Sequence, residues 1–171
     1  SWITEAYIKL INHFSEFCSL KTTSIHIGEC SGPMLSPAFF DEFVTPYINI
    51  LGEKYNKVRL HSCGKSDNLI ESFSKIKRLQ SIDVGSGTNI KLIRKRLGND
   101  IDISTFPAPD ILMEGSPIEN IHNWIDNILE SNQTGNLKIS YHIEPGYNLN
   151  NCLEIHEYLK EKYKIVHKRL F

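Results

Sequence analysis

Charge of one sign is the first thing this 171-residue sequence lacks: 19 Lys and Arg stand against 20 Asp and Glu, a formal net charge of −1. Such a balance offers no electrostatic footprint for nucleic acid or an anionic membrane, so neither is expected as a partner. Long hydrophobic runs are missing too. No stretch approaches the roughly 20 apolar residues of a membrane span, and no secretory leader is visible. Cysteine is scarce: Cys18, Cys30, Cys63 and Cys152 form neither a C-x-x-C pair nor the dense framework of a small secreted domain, so free thiols in a reducing cytoplasm are expected. There is no linker, no low-complexity tract and no initiating methionine. Ser1 stands directly inside an amphipathic pattern, which suggests a fragment that omits something upstream. What remains, 40% hydrophobic and 23% charged residues, suits one globular domain over 1–171.

Short β-branched runs recur at 23–29, 57–62, 79–84, 101–106 and 137–143, each followed by a helical pattern. Strands alternating with helices predict βαβ units and a parallel sheet. Ser36-Pro37 offers an N-cap and an N1 proline for a helix carrying Phe40, Phe43, Val44, Tyr47, Ile48 and Leu51, with Pro46 as a kink. Ser116-Pro117-Ile118-Glu119 reads as a capping box before Ile121, Trp124, Ile125 and Ile128. Gly98 stops the helix of Leu92 and Ile93, Leu153 to Tyr163 forms the last helix, and Ile3, Tyr7, Leu10, Ile11 and Phe14 mark an opening one. These apolar stripes are expected in the core, and the basic cluster from Lys91 to Arg96 on a solvated helix face.

Strand parity separates two faces. Val58 and Leu60 alternate with Arg59, His61 and Cys63; Ile82 and Val84 with Ser81 and Asp83; Ile139, Tyr141 and Ile143 with Ser140, His142 and Glu144. A doubly covered sheet would want both parities apolar, whereas a barrel packs helices outside and points functional groups inward near its strand ends. The fold class expected is therefore α/β, a partial (β/α)8 barrel of about five βα units. Eight strands and about 250 residues make the full fold, so five units are too few.

On the inward parity, His61 and Cys63 lie two residues apart in Lys57-Val58-Arg59-Leu60-His61-Ser62-Cys63-Gly64. Residues so spaced on a strand project to the same side, which outlines a metal site. A buried thiol beside a hydrogen-bonded core histidine explains the pair equally well, since two ligands are an incomplete set. Likewise Asp83, His142 and Glu144 read either as pocket lining or as hydrogen-bonded core groups.

The order of Glu29-Cys30-Ser31-Gly32-Pro33-Met34-Leu35-Ser36-Pro37, Phe43-Val44-Thr45-Pro46-Tyr47, His61-Ser62-Cys63-Gly64, Gly115-Ser116-Pro117-Ile118-Glu119 and Glu144-Pro145-Gly146-Tyr147 resembles the C-terminal portion of the uroporphyrinogen decarboxylase superfamily. The H-x-C-G element is similar to its zinc-dependent corrinoid methyltransferases, of the methylcobalamin:coenzyme M type. That resemblance implies zinc on His61 and Cys63, which would also be the catalytic pair. In the family another cysteine follows the proline-glycine; here that place falls to Tyr147, and Cys152 comes five residues later. Glu29, at an acidic position of the family, is favoured as the third ligand, although parity groups it with Ile25 and Ile27 and leaves Cys30 with His26. Cys30, Asp83, His142, Glu144 and Tyr147 are the implied substrate-binding residues. The implied chemistry moves a methyl group from a corrinoid on a partner protein to a small-molecule thiol. Two alternatives remain open: a metal-independent decarboxylase of a tetrapyrrole-like acid, for which Arg59 is the sole inward cation, and a non-catalytic half-barrel partner subunit. Unpaired sheet edges lead us to expect a homo-oligomer or a complement supplying an N-terminal part.

Overall fold

Parallel strands need long crossovers, and every strand run of this chain is followed by helical sequence that can supply one. The computed structural model, which describes residues 1–167, holds a five-stranded sheet in which each strand pairs in parallel with the next. β1 (Ile25–Gly28), β2 (Val58–Ser62), β3 (Leu79–Val84), β4 (Asp102–Thr105) and β5 (Leu137–Ile139) lie side by side in chain order. Strands run in chain order around a (β/α) barrel, whereas a doubly wound sheet reverses order part-way. The chain is thus an α/β, partial barrel-like array of five βα units.

α1 (Trp2–Phe17) precedes β1, and α2 (Pro37–Phe43) and α3 (Thr45–Tyr55) connect β1 to β2. The Ser36 hydroxyl caps α2 by accepting from Phe39 N at 3.2 Å, and the chain breaks between α2 and α3 next to Pro46, whose ring cannot continue an ideal helix. α4 (Ile70–Phe73), α5 (Ile90–Leu97), the pair α6 (Pro109–Leu112) and α7 (Ile118–Ser131), and finally α8 (Leu149–His167) follow the remaining strands.

The aliphatic parity of the sheet is the buried one. Val58, Leu60, Ile82, Val84 and Ile103 pack against Phe40, Ile48, Leu51, Phe73, Ile93 and Ile128 from the helices. Phe40 and Phe73 meet edge to face at 5.7 Å. A smaller cluster unites Leu112, Ile121, Ile125, Cys152 and Ile155, so Cys152 is a core residue whose thiol burial pushes up.

Four expectations need correction. The capping box at Ser116 does not form: Pro117, extended at ψ 141°, is the N-cap, so Glu119 falls one position short of closing it. β5 ends at Ile139 rather than 143; Ser140 N still donates to Thr105 O, but Tyr141 then turns its hydroxyl to Cys152 O at 2.5 Å. Arg94 does not belong to a solvated face. Its guanidinium donates to Asn132 Oδ1 (2.6 Å), Ile101 O (2.5 Å) and Asn136 O (2.6 Å), tying α5 to the loops around β4 and β5. Finally, α1 buries only part of its apolar surface. Ile8 and Ile11 join the core, while Ile3, Tyr7, Leu10 and Phe14 stay exposed, because α3 meets just one side of the helix. Among the described residues, no helix is long and apolar enough to cross a membrane.

Candidate metal centre

Parallel register carries the polar parity from strand to strand. Gly28 lies opposite His61, His61 opposite Asp83, Asp83 opposite Ser104, and Ser104 opposite Lys138. One layer towards the strand starts, Arg59 lies between His26 and Ser81. Function in such folds gathers at the C-terminal ends of the strands, and His61 and Asp83 stand one residue from theirs.

Asp83 orients the imidazole. His61 Nδ1 lies 3.0 Å from Asp83 Oδ2, and Arg59 reaches the same oxygen at 3.4 Å. A carboxylate accepts only, so Nδ1 is the donor and Nε2 is turned away from Asp83, the orientation that outer-shell carboxylates impose on metal-binding histidines. Asp83 Oδ1 is buried without a partner, a cost tolerated where the other oxygen does such work. At Gly28 an added Cβ would meet nothing within 4 Å, so this residue leaves open space beside His61.

Cys63 follows β2, and its thiol points at Cys30 O, 3.7 Å away in the turn after β1. The ligand atoms of Cys30, His61 and Cys63 all lie within 4.8 Å of one another. Two sulfurs and one imidazole nitrogen are a donor set suited to zinc, and three protein ligands with a position left over are the pattern of catalytic rather than structural zinc. The residues present therefore fit the metal. Glu29 stays outside this trio; its carboxyl is pushed up by burial, while its backbone N–H extends the β1–β2 ladder to His61 O at 2.7 Å.

The turn that carries Cys63 is held from behind. Gly64 adopts φ 82°, and a Cβ on Gly85 would come within 2.6 Å of two Gly64 backbone atoms. Thr88 clamps the same turn: its hydroxyl donates to Gly64 O (2.9 Å) and accepts from Ser66 N (3.1 Å).

In front of the pair opens a cleft of 570 Å³. The structure brings His61, Cys63, Asp83, His142, Glu144 and Tyr147 to its walls, together with Arg59; Glu29 and Cys30 do not line it. Sequence reading missed the apolar side made by Phe106, Pro107, Pro109, Leu112 and Tyr141. Tyr141 was hidden by its aliphatic parity, which holds only while the strand continues. The proline spacing at 107 and 109, just beyond β4, was the available signal for a wall at that strand end.

Electrostatics at the site follow from its crowding. The Cys30 thiol, then burial, push the Cys63 thiol up. Partial desolvation, with Arg59 and His61 nearby, holds His26 below the usual imidazole range. A raised thiol keeps its proton beyond its ordinary value near 9, so in metal-free protein the alkylation of Cys63 by iodoacetamide should reach half its maximal rate only above that pH. Peptide mapping across a pH series checks this; a midpoint at or below 9 contradicts it. Replacing Asp83 by asparagine keeps the shape but allows an amide N–H to face Nδ1. Zinc affinity should fall about 10–100-fold, measured by competition with a chromophoric chelator.

No family model and no curated protein sequence matches the chain. Among solved structures, a methyltransferase from Methanosarcina mazei superposes with a TM-score of 0.65 at 20% identity, over 82% of this chain and 42% of that one. The chain therefore spans less than half the length of that neighbour, and the likeness establishes a shared fold.

Proposed function

We propose that this chain carries the thiol-activating site of a zinc-dependent methyltransferase that moves a methyl group from a corrinoid to a small-molecule thiol. The observation that carries the reading is the gathering of Cys30, His61 and Cys63 within 4.8 Å at the strand ends. The methyltransferase among its structural neighbours supports it.

Cys30, His61 and Cys63 would hold the metal, with Asp83 fixing the ring of His61. Zinc at that position supplies a Lewis acid that lowers the pKa of an acceptor thiol into the neutral range. The cleft does the rest. Its apolar side, Phe106, Leu112 and Tyr141, would exclude water from the reacting sulfur, and its open mouth would admit the methyl donor on a partner protein. The acceptor sulfur would form a bond to the methyl carbon as the methyl leaves its donor, which would keep the electron pair, and the thiol proton would leave to solvent. The decarboxylase alternative has weaker support, because Arg59, the cation that lines the cleft, already shares Asp83.

X-ray absorption at the zinc edge tests the proposal. One equivalent of zinc with two sulfur ligands, together with methyl transfer from methylcobalamin to coenzyme M, is expected. A washed protein that takes up no zinc, or one whose zinc sees no sulfur, sinks it.

A further inference from the structure

We propose that the exposed side of α1 is a helix-packing seam for a second copy of this chain, making an antiparallel α1–α1 dimer.

The spacing of the exposed residues is the starting observation. Ile3, Tyr7, Leu10, Phe14 and Phe17 follow one another at intervals of four, three, four and three, the repeat that keeps apolar side chains on a single line facing a partner helix. They are 62%, 41%, 50%, 57% and 81% exposed. A helix whose apolar surface ended at its contact with α3 would not continue the pattern around its outer side. The three aromatic rings alone leave on the order of 350 Å² open. Ile3, Leu10 and the 70%-exposed Leu20 carry the stripe past the few hundred Å² that monomers usually leave uncovered, into the range of one side of a modest dimer interface.

Three features favour a second copy over an unrelated partner. The outer flank of the seam carries Ala6 and His13, and its inner flank Thr4 and Ile11, so no like charges oppose self-association. The charged residues Glu5, Lys9 and Glu16 sit on the far side of the helix. Reversed about Leu10, Ile3 falls opposite Phe17, Tyr7 opposite His13, Phe14 opposite Ala6, and Leu10 meets its own copy, the reciprocal pairing that a two-fold interface requires. Beside the seam, a groove of 390 Å³ lined by Tyr7, Ile11, Phe14, Leu20 and Ile25 runs between α1 and β1, giving room for the larger partner rings.

Sedimentation equilibrium of the 171-residue chain, from about 1 to 100 μM, is the test. A reversible dimer is expected, with association weakened at least 100-fold by Phe14→Glu and unchanged by Lys9→Glu. Because Phe14 is exposed, the charge opens no cavity, and an unaltered circular dichroism spectrum will show that the variant is folded. In addition, Leu10→Cys should form a disulfide-linked dimer under mild oxidation where Lys9→Cys does not. A monomer at every concentration overturns the proposal, as does a dimer that Phe14→Glu leaves intact. Strong amide protection of α1 in a monomer would show that another segment covers the stripe and would overturn it as well.

Discussion

Cys63→Ser should cost the protein its metal. Outer-shell losses weaken zinc binding by roughly 10–100-fold, and removing one of only three first ligands should exceed that, to about 1,000-fold or more. The physical reason is charge. A thiol can be drawn into the anionic form by a cation, whereas a serine hydroxyl at neutral pH offers a neutral, harder donor on a shorter arm. Any residual zinc should show one sulfur neighbour, and methyl transfer to a thiol should fall with metal occupancy. Stability without metal should barely move, since Cys63 is half-exposed and outside both apolar clusters. Cys18→Ser, at the exposed end of α1, supplies the control. A second pair separates the two assignments of the third ligand: Cys30→Ser should match Cys63→Ser, while Glu29→Gln should leave the sulfur count intact. If Glu29→Gln alone releases the metal, the resemblance-based assignment is right and the geometric one wrong.

Gly85→Ala should be the most damaging single-methyl change near the site. Its Cβ would lie 2.5 Å from Gly64 N and 2.6 Å from Gly64 O, which are backbone atoms pinned by Thr88 and unable to swing aside like a side chain. Overpacking of this kind costs about 3 kcal/mol where the backbone must yield. Relief requires the turn after β2 to move, and that turn carries Cys63. Unfolding in urea should therefore show a lowered midpoint, and zinc affinity should fall although no ligand has changed. Gly28→Ala provides the contrast: nothing lies within 4 Å of the added methyl, so stability should stay within about 0.5 kcal/mol while the space beside His61 is filled.

Alternation of aliphatic and polar residues made the fold legible, because Val58, Leu60, Ile82 and Val84 face the helices while Arg59, His61, Ser81 and Asp83 face the other way. Period-two patterning states which side is buried before any contact is known. The same logic kept Cys30 in step with His26 and away from Glu29, and the structure places Cys30 with His61 and Cys63. Other features lay beyond local pattern. The exposed seam of α1 looks like core in sequence, since periodicity reports that a stripe is apolar and not whether anything covers it. Arg94 sat in a run of basic residues that a solvated face would suit, yet two of its partners, Asn132 and Asn136, lie 38 and 42 residues further on, outside any window around position 94. Tyr141 joined the cleft only because β5 stops two residues before it.

Cys30 and Cys63 are 33 residues apart and belong to the ends of neighbouring strands, one of which, β1, pairs on a single side. A metal shared by them would act as a stitch across the outermost seam of the sheet. Its binding free energy would then enter the opening equilibrium of β1 directly, at about 1.4 kcal/mol for each tenfold rise of free metal above the dissociation constant. The proton on Glu29 N, hydrogen-bonded to His61 O within that seam, would become a gauge of occupancy: its exchange with solvent should slow when metal is added and quicken when a chelator removes it. Chemistry at the strand ends and closure of the sheet edge would in this way be one thermodynamic quantity.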